Sequence, residues 1–412
     1  MKIVIFNAYY TPEIAAGINL EEDIAEGFAH MSGNAIMYVP TPCRGISDEV
    51  RKAYKNKTEE LLYDGALKIV RYPLMKEGRN PLLRAARYFL QNYKQYRKGI
   101  TTKDADAIFS GSTPPTQGAM CAFLKTRMEK KYKRKIPFVY NLQDVFPDSL
   151  VTTGLAKEGS LIWKVGRKVE DYTYRHADKI IVISSKMKEN LLNKGVPEEK
   201  LVVVNNWITL QDIQPVAKED NRLFEEFGID RDRFTVVYAG NFGAAQGADV
   251  VLHAAKLLPD IQFVIFGGGA EFENAKELAN ELPNVIINGL LPADRVPEVY
   301  SLGDVCLITC KKGVGNSGMP SKTWSIMACN TPIIAAFDTD SELAQILQDS
   351  QAGICVEPED PKALAEAIAA YRENPLSAIG SRNYVETNAS KDICVSKYVE
   401  AMKLCLTDTK GE

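Results

Sequence analysis

The sequence predicts an α/β protein made of two doubly wound, Rossmann-like domains. Its 412 residues exceed the roughly 250–300 residues at which a single hydrophobic core stops growing. In both halves, runs of β-branched residues alternate with helical patterns, which is typical of parallel strands covered on both faces. Glycines follow several of these runs, at the strand ends where open α/β sheets bind their ligands.

The first domain is predicted to span residues 1–206. An amphipathic helix over 20–30 follows its first strand, and helical patterns separate the later strands. The predicted strands are KIVIFNAYY, NAIMYVP, ALKIVRYP, DAIFSGS, PFVYNLQD and KIIVISS.

The second domain is predicted to span residues 207–389, with a hinge within 205–216. Helical patterns again separate apolar runs, as a doubly wound sheet requires. The predicted strands are FTVVYAG, IQFVIFGGG, NVIING, VCLITC, TPIIAAF and AGICVEP.

The formal net charge of −3 hides an asymmetry, because residues 1–206 carry +10 and residues 207–412 carry −13. The two halves are therefore expected to meet different partners. No apolar run approaches the ~20 residues of a membrane span, and a first strand starting at residue 2 leaves no room for a signal peptide. The eight cysteines lack paired spacing, so free thiols in a reducing cytoplasm are expected.

The segment GNSGMPSKTWSIMACNTPIIAA, residues 315–336, carries the strongest chemical signal. A loop of small residues enters an apolar helix at Ser321 and Lys322, and a strand follows. The free N–H groups and positive dipole end of a helix N-terminus, together with the Lys322 charge, suit a diphosphate. An ordinary turn with an exposed lysine is the other interpretation.

Glycine-containing loops occur at three further strand ends. YAGNFGAAQG places Gly240 and Gly243 after one strand, FGGG places residues 267–269 after another, and Ala16 and Gly17 precede the first helix. One such loop alone is more often only a tight turn. Together with the 315–336 segment, they predict a nucleoside diphosphate bound in a cleft between the two domains.

These segments together resemble the retaining GT-B glycosyltransferases of family 4, and more narrowly the WbuB-like members of bacterial surface-polysaccharide pathways. The resemblance covers essentially the whole chain and implies two domains facing an interdomain cleft, with a C-terminal helix near 390–406 packed back on the first domain. It is carried by YYTPEIAAGINLEEDIAEGFA, NLQDVFPDS, YAGNFGAAQGADVVLHAA, FVIFGGGAE, NVIINGLLPADRVPEVYSLGDVCLI and MPSKTWSIMACNTPIIA.

The resemblance implies that the second domain binds a UDP-linked sugar and that the first domain binds the acceptor. On the acceptor side it implies Ala16, Gly17 and Asp144. The implied donor-binding residues are Gly240, Asn241, Gly243, Gln246, Gly268, Gly269, Leu290, Ser317, Gly318, Ser321, Lys322 and Ser325.

The sequence departs from the wider family at four donor positions. Ser317 and Ser325 replace two glutamates, the second of which usually holds the ribose hydroxyls. Asn241 and Gln246 replace an arginine and a lysine, so two positive charges are missing around the diphosphate. Lys322 and backbone N–H groups are therefore expected to carry more of the stabilisation.

The implied reaction is a glycosyl transfer with retention of configuration at the sugar, in which Lys322 stabilises the leaving diphosphate. Gln143 and Asp144 stand where the wider family has a histidine, and Asp144 is predicted to orient the acceptor or to steady positive charge on the sugar. A capping aspartate is the alternative. No cofactor and no metal are expected, because the acidic triplets 104–106 and 338–340 are interpreted as a turn and a helix cap.

Residues 79–99 form a helical pattern in which cations interleave with aromatic residues. Such helices bind anionic membrane surfaces, so a peripheral location on the inner face of the cell membrane and a polyprenyl-linked or glycan acceptor are predicted. A solvated helix face is the alternative. Nucleic acid is not expected, because the cations are not part of a recognisable binding module. The predicted membrane-surface residues are Arg84, Arg87, Lys94, Arg97 and Lys98.

Two other functions share this architecture. A UDP-sugar 2-epimerase would need carboxylate and histidine acid–base groups, and a chain with three histidines offers few candidates. A nucleotide-binding scaffold or accessory subunit would bind the donor without turnover. The sequence favours the transferase, with an N-acetylated hexosamine as the expected sugar.

Overall fold

The protein is described by a computed structural model that covers residues 1–15, 17–75, 80–152, 156–315, 318–375, 378 and 380–408. It divides into two compact units. Unit 1 comprises Met1–Asn205 and Cys394–Glu412, and unit 2 comprises Asn206–Ile393. Among the helices of the described residues, none combines the length and the apolar character that a membrane span requires. The predicted site residues Ala16 and Ser317 lie outside the described residues.

Unit 1 is built on an eight-stranded sheet in the order β3-β4-β2-β1-β5-β6-β7-β8. All neighbouring strands pair in parallel except the β3–β4 pair. The strands are β1 Ile3–Phe6, β2 Ala35–Pro40, β3 Glu59–Leu62, β4 Leu67–Tyr72, β5 Ala107–Gly111, β6 Phe138–Leu142, β7 Lys179–Val182 and β8 Leu201–Val203.

Two edge strands of unit 1 were not predicted from the sequence. β3 has the polar sequence EELL and pairs antiparallel with β4, so it lacks the apolar run of a buried parallel strand. The hairpin between them turns at Tyr63 and Asp64, both with positive φ. β8 has only three residues.

Helices cover both faces of the unit 1 sheet, as crossover connections between parallel strands require. α16 belongs to this unit from Cys394 onward, and the Tyr398 ring meets Phe109 of β5 with a centroid distance of 6.2 Å. The helices are α1 Ile18–Ser32, α2 Asp48–Tyr54, α3 Pro81–Gly99, α4 Gln117–Tyr132, α5 Asp148–Thr152, α6 Leu161–His176, α7 Ser185–Asn193 and α16 Lys391–Asp408.

Unit 2 holds a six-stranded parallel sheet in the order β11-β10-β9-β12-β13-β14. The strands are β9 Thr235–Asn241, β10 Gln262–Gly268, β11 Val285–Gly289, β12 Val305–Thr309, β13 Ile333–Ala336 and β14 Gly353–Val356. The helices are α8 Leu223–Glu226, α9 Asp249–Leu257, α10 Phe272–Ala279, α11 Val296–Tyr300, α12 Lys322–Ala328, α13 Glu342–Asp349, α14 Pro361–Glu373 and α15 Ser381–Asn388.

Both sheets confirm the predicted α/β class with two Rossmann-like domains. The central strands β1, β5, β6, β12 and β13 are buried along their whole length, as their mostly apolar sequences indicate. In each unit the chain order reverses direction beside the first strand, between β1 and β5 and between β9 and β12. Such reversals open a crevice at the carboxyl ends of the strands, where open α/β sheets bind ligands.

Candidate functional site

The reversal point of unit 2 lies between the carboxyl ends of β9 and β12. The two loops that leave these strands are joined, since the Lys311 N–H donates to the Ala245 carbonyl at 3.0 Å. Gly247 lies in the first of these loops with a φ of 54°, a left-handed conformation that favours glycine. One backbone hydrogen bond thus links the two loops beside the crevice.

Lys322, the first residue of α12, reaches this crevice. Its Nζ donates to the Ala239 carbonyl at 3.1 Å and lies 4.2 Å from the Tyr238 ring centroid. A Cβ on Gly240 would be 2.9 Å from the same Nζ. The structure thus brings the predicted Lys322 and Gly240 together at the end of β9.

The Lys322 residue is partly exposed, but its ammonium group sits against the strand and the ring. Burial of this ammonium group lowers the pKa of Lys322 to about 8, against a smaller opposing effect of Cys306. A cation–π contact and one carbonyl are weak compensation for lost hydration. An anion in the crevice would supply the missing counter-charge.

The loop after β9 is closed by its own side chains. Asn241 Nδ2 donates to Gln246 Oε1 at 3.2 Å, and the Asn241 carbonyl accepts from the Tyr238 hydroxyl at 3.1 Å. A Cβ on Gly243 would lie 2.6 Å from Asn241 Nδ2 and 2.8 Å from Gln246 Oε1. Glycine is therefore required for the contact between these two predicted donor-binding residues.

The glycine loop after β10 packs directly on the loop after β9. The Gly268 carbonyl accepts from the Phe242 N–H at 2.7 Å, and the Phe242 carbonyl accepts from the Glu271 N–H at 2.9 Å. Gly269 has a φ of 120°, a region that is almost exclusive to glycine. Gly268 also lies against the predicted Leu290, whose side chain is exposed.

The loop before α12 is anchored by Asp338. This buried carboxylate accepts from the Gly313 N–H at 2.9 Å and from the Gly315 N–H at 2.7 Å. The interpretation of residues 338–340 as a helix cap was wrong for Asp338, because α13 is capped by Ser341, whose Oγ accepts from the Ala344 N–H at 3.3 Å. Sequence reasoning missed this anchor.

We expect Asp338→Ala to destabilise unit 2 by about 2–4 kcal/mol, because two backbone N–H groups lose a charged acceptor. Urea unfolding followed by circular dichroism would measure the change. Asp340→Ala is the matched control, since Asp340 is exposed. Equal free energies of unfolding for the two variants would contradict the anchoring role.

The other predicted residues near α12 occupy the loop and the first turn. Gly318 and Ser321 are exposed, and Ser325 is half-buried one turn after Lys322, at the i+3 spacing that places both on one helix face. α12 is seven residues long, and Ser321 makes no side-chain capping hydrogen bond. Lys322 is therefore better placed than the short helix itself to attract an anion.

In unit 1, Gly17 precedes α1 with a φ of 77°, and its carbonyl accepts from the Glu21 N–H at 3.1 Å. Asp144 follows the carboxyl end of β6 and is an exposed residue. Partial burial of its carboxyl raises the pKa of Asp144, with a smaller contribution from Asp148 and an opposing hydrogen bond from Ser149. A carboxyl with an elevated pKa thus follows the carboxyl end of β6.

The reversal point of unit 1 holds a carboxyl that sequence reasoning did not single out. Glu21 Oε2 accepts from Asn7 Nδ2 at 3.0 Å, and the other oxygen would lie 3.2 Å from a Cβ on Gly111 of β5. Burial raises the pKa of Glu21 to about 7, although the Asn7 hydrogen bond lowers it somewhat. The available signal was Asn7 directly after the first strand and Glu21 in the first helical turn.

The predicted membrane-surface residues of α3 do not share one face. Arg84 and Arg97 are exposed, and Lys94 and Lys98 are half-buried. Arg87 is only 1% exposed, and its guanidinium donates to the Met75 carbonyl. The assignment of Arg87 to the surface was therefore wrong. Gln91 and Gln95 are buried on the same helix, so polar residues cover the inward face of α3.

Instead, the apolar stripe of α3 faces solvent. Leu83 is 51% exposed, Phe89 76% and Tyr93 50%. The helix sequence PLLRAARYFLQNYKQYRKG contains no acidic residue. Helical periodicity in the sequence indicates an amphipathic helix but does not say which side of the helix faces the sheet.

Acidic side chains do not form a metal centre in the part of the chain that the structure describes, where no group of three potential ligands was found. Asp104 pairs with Lys2 at 2.7 Å, and Asp106 pairs with Arg134 at 2.7 Å. The first acidic triplet thus serves local ion pairs.

Two family models match the chain. Residues 219–392 match the model described as glycosyl transferases group 1, and residues 32–212 match the model described as glycosyltransferase family 4. Between them the matches include most of both units.

Several curated proteins are similar in sequence. WbjE of Pseudomonas aeruginosa, a glycosyltransferase by its name, is 26% identical over 82% of this chain and 82% of its own length. WcaI of Escherichia coli K12, named for colanic acid biosynthesis, is 26% identical over 64% of this chain and 67% of its own length. The alpha-galactosylglucosyldiacylglycerol synthase of Streptococcus pneumoniae is 27% identical over 61% of this chain and 66% of its own length.

Solved structures share the fold along nearly the whole chain. HepE of Anabaena in complex with UDP superposes with a TM-score of 0.70 at 16% identity, over 98% of this chain and 100% of that chain. Sucrose-phosphate synthase of Thermosynechococcus elongatus superposes with a TM-score of 0.69 at 16% identity, over 99% of both chains.

Proposed function

The chain belongs to the GT-B glycosyltransferases of group 1 and family 4, and from this premise we propose that it moves a sugar from a nucleoside-diphosphate donor to a lipid-linked or polysaccharide acceptor in cell-surface glycan assembly. The contact of Lys322 with the end of β9, beside Gly240, carries the proposal. It puts a cation with little compensation at the crevice where a doubly wound sheet binds its ligand.

The donor diphosphate would lie between Lys322 and the glycine loops after β9 and β10. The missing side chains of Gly240, Gly243 and Gly269 make room for the polar side chains of Lys322, Asn241 and Gln246 beside these loops, and Lys322 supplies the positive charge. Asn241 and Gln246 offer amide groups where the wider family has cations, so the electrostatic demand falls on one lysine. A UDP donor is supported by HepE, a fold relative solved with UDP.

The chemistry assigned to this site is transfer with retention of configuration. As the bond from the sugar to the diphosphate breaks, negative charge grows on the leaving oxygen and Lys322 stabilises it. A diphosphate oxygen accepts the proton of the acceptor hydroxyl that attacks on the same face. The charge on the leaving group is assigned to Lys322 and backbone N–H groups, without a metal ion or cofactor.

Asp144 is assigned to the acceptor. Its raised pKa suits a carboxyl that shares a hydrogen bond with a hydroxyl rather than one held in an ion pair. WcaI, which is named for colanic acid biosynthesis, supports a glycan-assembly acceptor by its sequence similarity. The expected sugar remains an N-acetylated hexosamine.

The membrane surface is assigned to the outward face of α3. Its exposed Leu83, Phe89 and Tyr93 alternate with cations and lack acidic neighbours on the helix. Apolar contact with the headgroup boundary and attraction of about 1 kcal/mol per surface cation would hold such a helix on an anionic leaflet.

Thermal-shift measurements against UDP, GDP, ADP, TDP and their sugar conjugates test the donor assignment. We expect one nucleotide family to stabilise the protein, by about 2.7 kcal/mol at one hundred times its dissociation constant. The shift should fall in Lys322→Ala and persist in Lys312→Ala. A panel without any stabilising nucleotide would contradict the donor site.

Donor affinity should depend on pH through Lys322. In the protein without a ligand, Lys322 has a pKa of about 8. Its ammonium group is therefore charged below that pH and loses its charge above it. Bound diphosphate favours the charged form and raises the pKa. Nucleotide affinity is therefore expected to weaken as pH rises from 7 towards 10, by titration calorimetry, and this dependence should vanish in Lys322→Ala.

A further inference from the structure

An open cavity of about 340 Å³ lies beside the C-terminal half of α3 in unit 1. It is lined by two aromatic and three cationic residues, none of them acidic: Tyr72, Tyr93, Lys94, Arg97 and Lys98. Tyr72 is the last residue of β4, so the wall opposite the helix is the end of a strand.

The cations of the cavity are held in place by neutral groups. Lys94 Nζ donates to the Pro73 carbonyl at 2.5 Å, and Arg97 Nη1 contacts the Tyr93 hydroxyl at 3.4 Å. The Lys98 ammonium lies 5.9 Å from the Tyr38 ring centroid. These contacts orient three positive charges and neutralise none of them, so the lining of the cavity carries a net positive charge that attracts anions.

Tyr72 adds a second, independent observation. The residue is 3% exposed, and its hydroxyl has no hydrogen-bond partner within the described residues. A buried hydroxyl without a partner is unfavourable. A phosphate oxygen can accept from a phenol and from ammonium and guanidinium groups at once.

The position of the cavity distinguishes a free phosphate from a phosphate that is attached to a lipid. Tyr93 lines the cavity and also ends the exposed apolar stripe that contains Leu83 and Phe89. A ligand in the cavity therefore has an apolar helix face next to it. A free phosphate would not need that face, whereas a phosphate attached to acyl or prenyl chains would use both.

We propose that this cavity is a binding site for the phosphate headgroup of a membrane lipid, with Arg97, Lys98 and Tyr72 as the phosphate contacts and the apolar stripe of α3 against the lipid chains. The inference rests on the proposed membrane-surface role of α3 and deepens it, because it replaces general attraction to an anionic surface by a specific headgroup site.

Flotation with phosphatidylcholine vesicles containing phosphatidic acid tests the site. Tyr72→Phe changes no charge, so a purely electrostatic surface would bind as before, whereas a headgroup site should lose roughly five- to tenfold in affinity. Arg97→Gln should lose about tenfold or more. Arg84→Gln, which removes an exposed cation of the same helix away from the cavity, should lose at most about fivefold.

If Tyr72→Phe binds the vesicles as tightly as the wild type, and Arg97→Gln and Arg84→Gln lose equal affinity, the headgroup site is refuted. Binding would then be due to surface charge alone. Stabilisation by inorganic phosphate that Tyr72→Phe removes, with vesicle binding unchanged, would assign the cavity to a soluble phosphorylated ligand and overturn the lipid assignment. Melting temperatures equal to the wild type exclude misfolding as the cause. Nucleotide-induced thermal shifts on the same variants should be unchanged, which separates failure of this site from failure of the donor site.

Discussion

Lys322→Ala is expected to reduce sugar transfer by about 10²–10³-fold, the usual loss when one preorganised donor to a developing anion is removed. The expectation is at the upper end for this chain because the residues at 241 and 246 are neutral amides. No second side-chain cation is predicted to share the leaving-group charge. The loss should appear in kcat as well as in kcat/KM, since the charge on the leaving oxygen is largest in the transition state.

The fold should survive this substitution. Burial lowers the pKa of Lys322 to about 8, which means that the folded protein pays to keep the ammonium charged there. Alanine removes that cost together with the contacts to Ala239 and Tyr238. Unfolding free energies close to the wild type are therefore expected, so that lost activity reports on chemistry.

Lys312→Ala is the matched control. Lys312 lies on the loop after β12 and is exposed, with Nζ 3.5 Å from Glu357. Such surface pairs contribute little, and we expect activity within about twofold of the wild type. The activity of both variants can be measured as the rate at which nucleoside diphosphate is released. The substrate is the sugar nucleotide that the thermal-shift experiment selects. Transfer by Lys322→Ala above a tenth of the wild-type rate would refute the leaving-group role.

The two sheets were predictable because their strands are buried on both faces. A parallel strand between two helical layers is apolar at nearly every position, and VCLIT of β12, with Thr309 as its one polar residue, and IIAA of β13 satisfy this. β3 escaped prediction for the same reason, because the edge strand EELL needs no apolar run. Fold class thus follows from the composition of the central strands, whereas a polar edge strand such as β3 cannot be recognised from its composition.

The placement of the candidate site residues was predictable where those residues are close together in sequence. Glycines after β9 and β10 and the lysine at the start of α12 could be read directly from strand–loop–helix patterns. Contacts over long sequence separations could not, and the bonds from Asp338 to the backbone of Gly313 and Gly315 are one example. Another example is the burial of Arg87, which depends on how α3 packs against the sheet. The sequence does not distinguish Arg87 from the other basic residues of this helix.

Gly269→Ala is expected to produce the largest loss of stability among single-methyl additions to the donor loops. The φ of 120° at this position costs a non-glycine residue about 1–3 kcal/mol. The added Cβ would also lie 2.8 Å from the Phe242 carbonyl oxygen and overlap the Asn241 side chain. Overpacking adds about 1–3 kcal/mol, so unit 2 should lose roughly 2–6 kcal/mol.

The damage should extend to the donor site, because the loop after β10 is bonded to the loop after β9 through Phe242. Moving one loop displaces Asn241 from Gln246, and weaker nucleotide-induced stabilisation should accompany the lower melting temperature. Gly289→Ala is the control, since Gly289 also ends a strand, has ordinary φ and has open space around its Cβ position. Alanine is favoured over glycine in a strand, so this variant should melt at or slightly above the wild-type temperature. Equal melting temperatures for the two variants would show that the loop after β10 yields at low cost and does not hold the donor site in place.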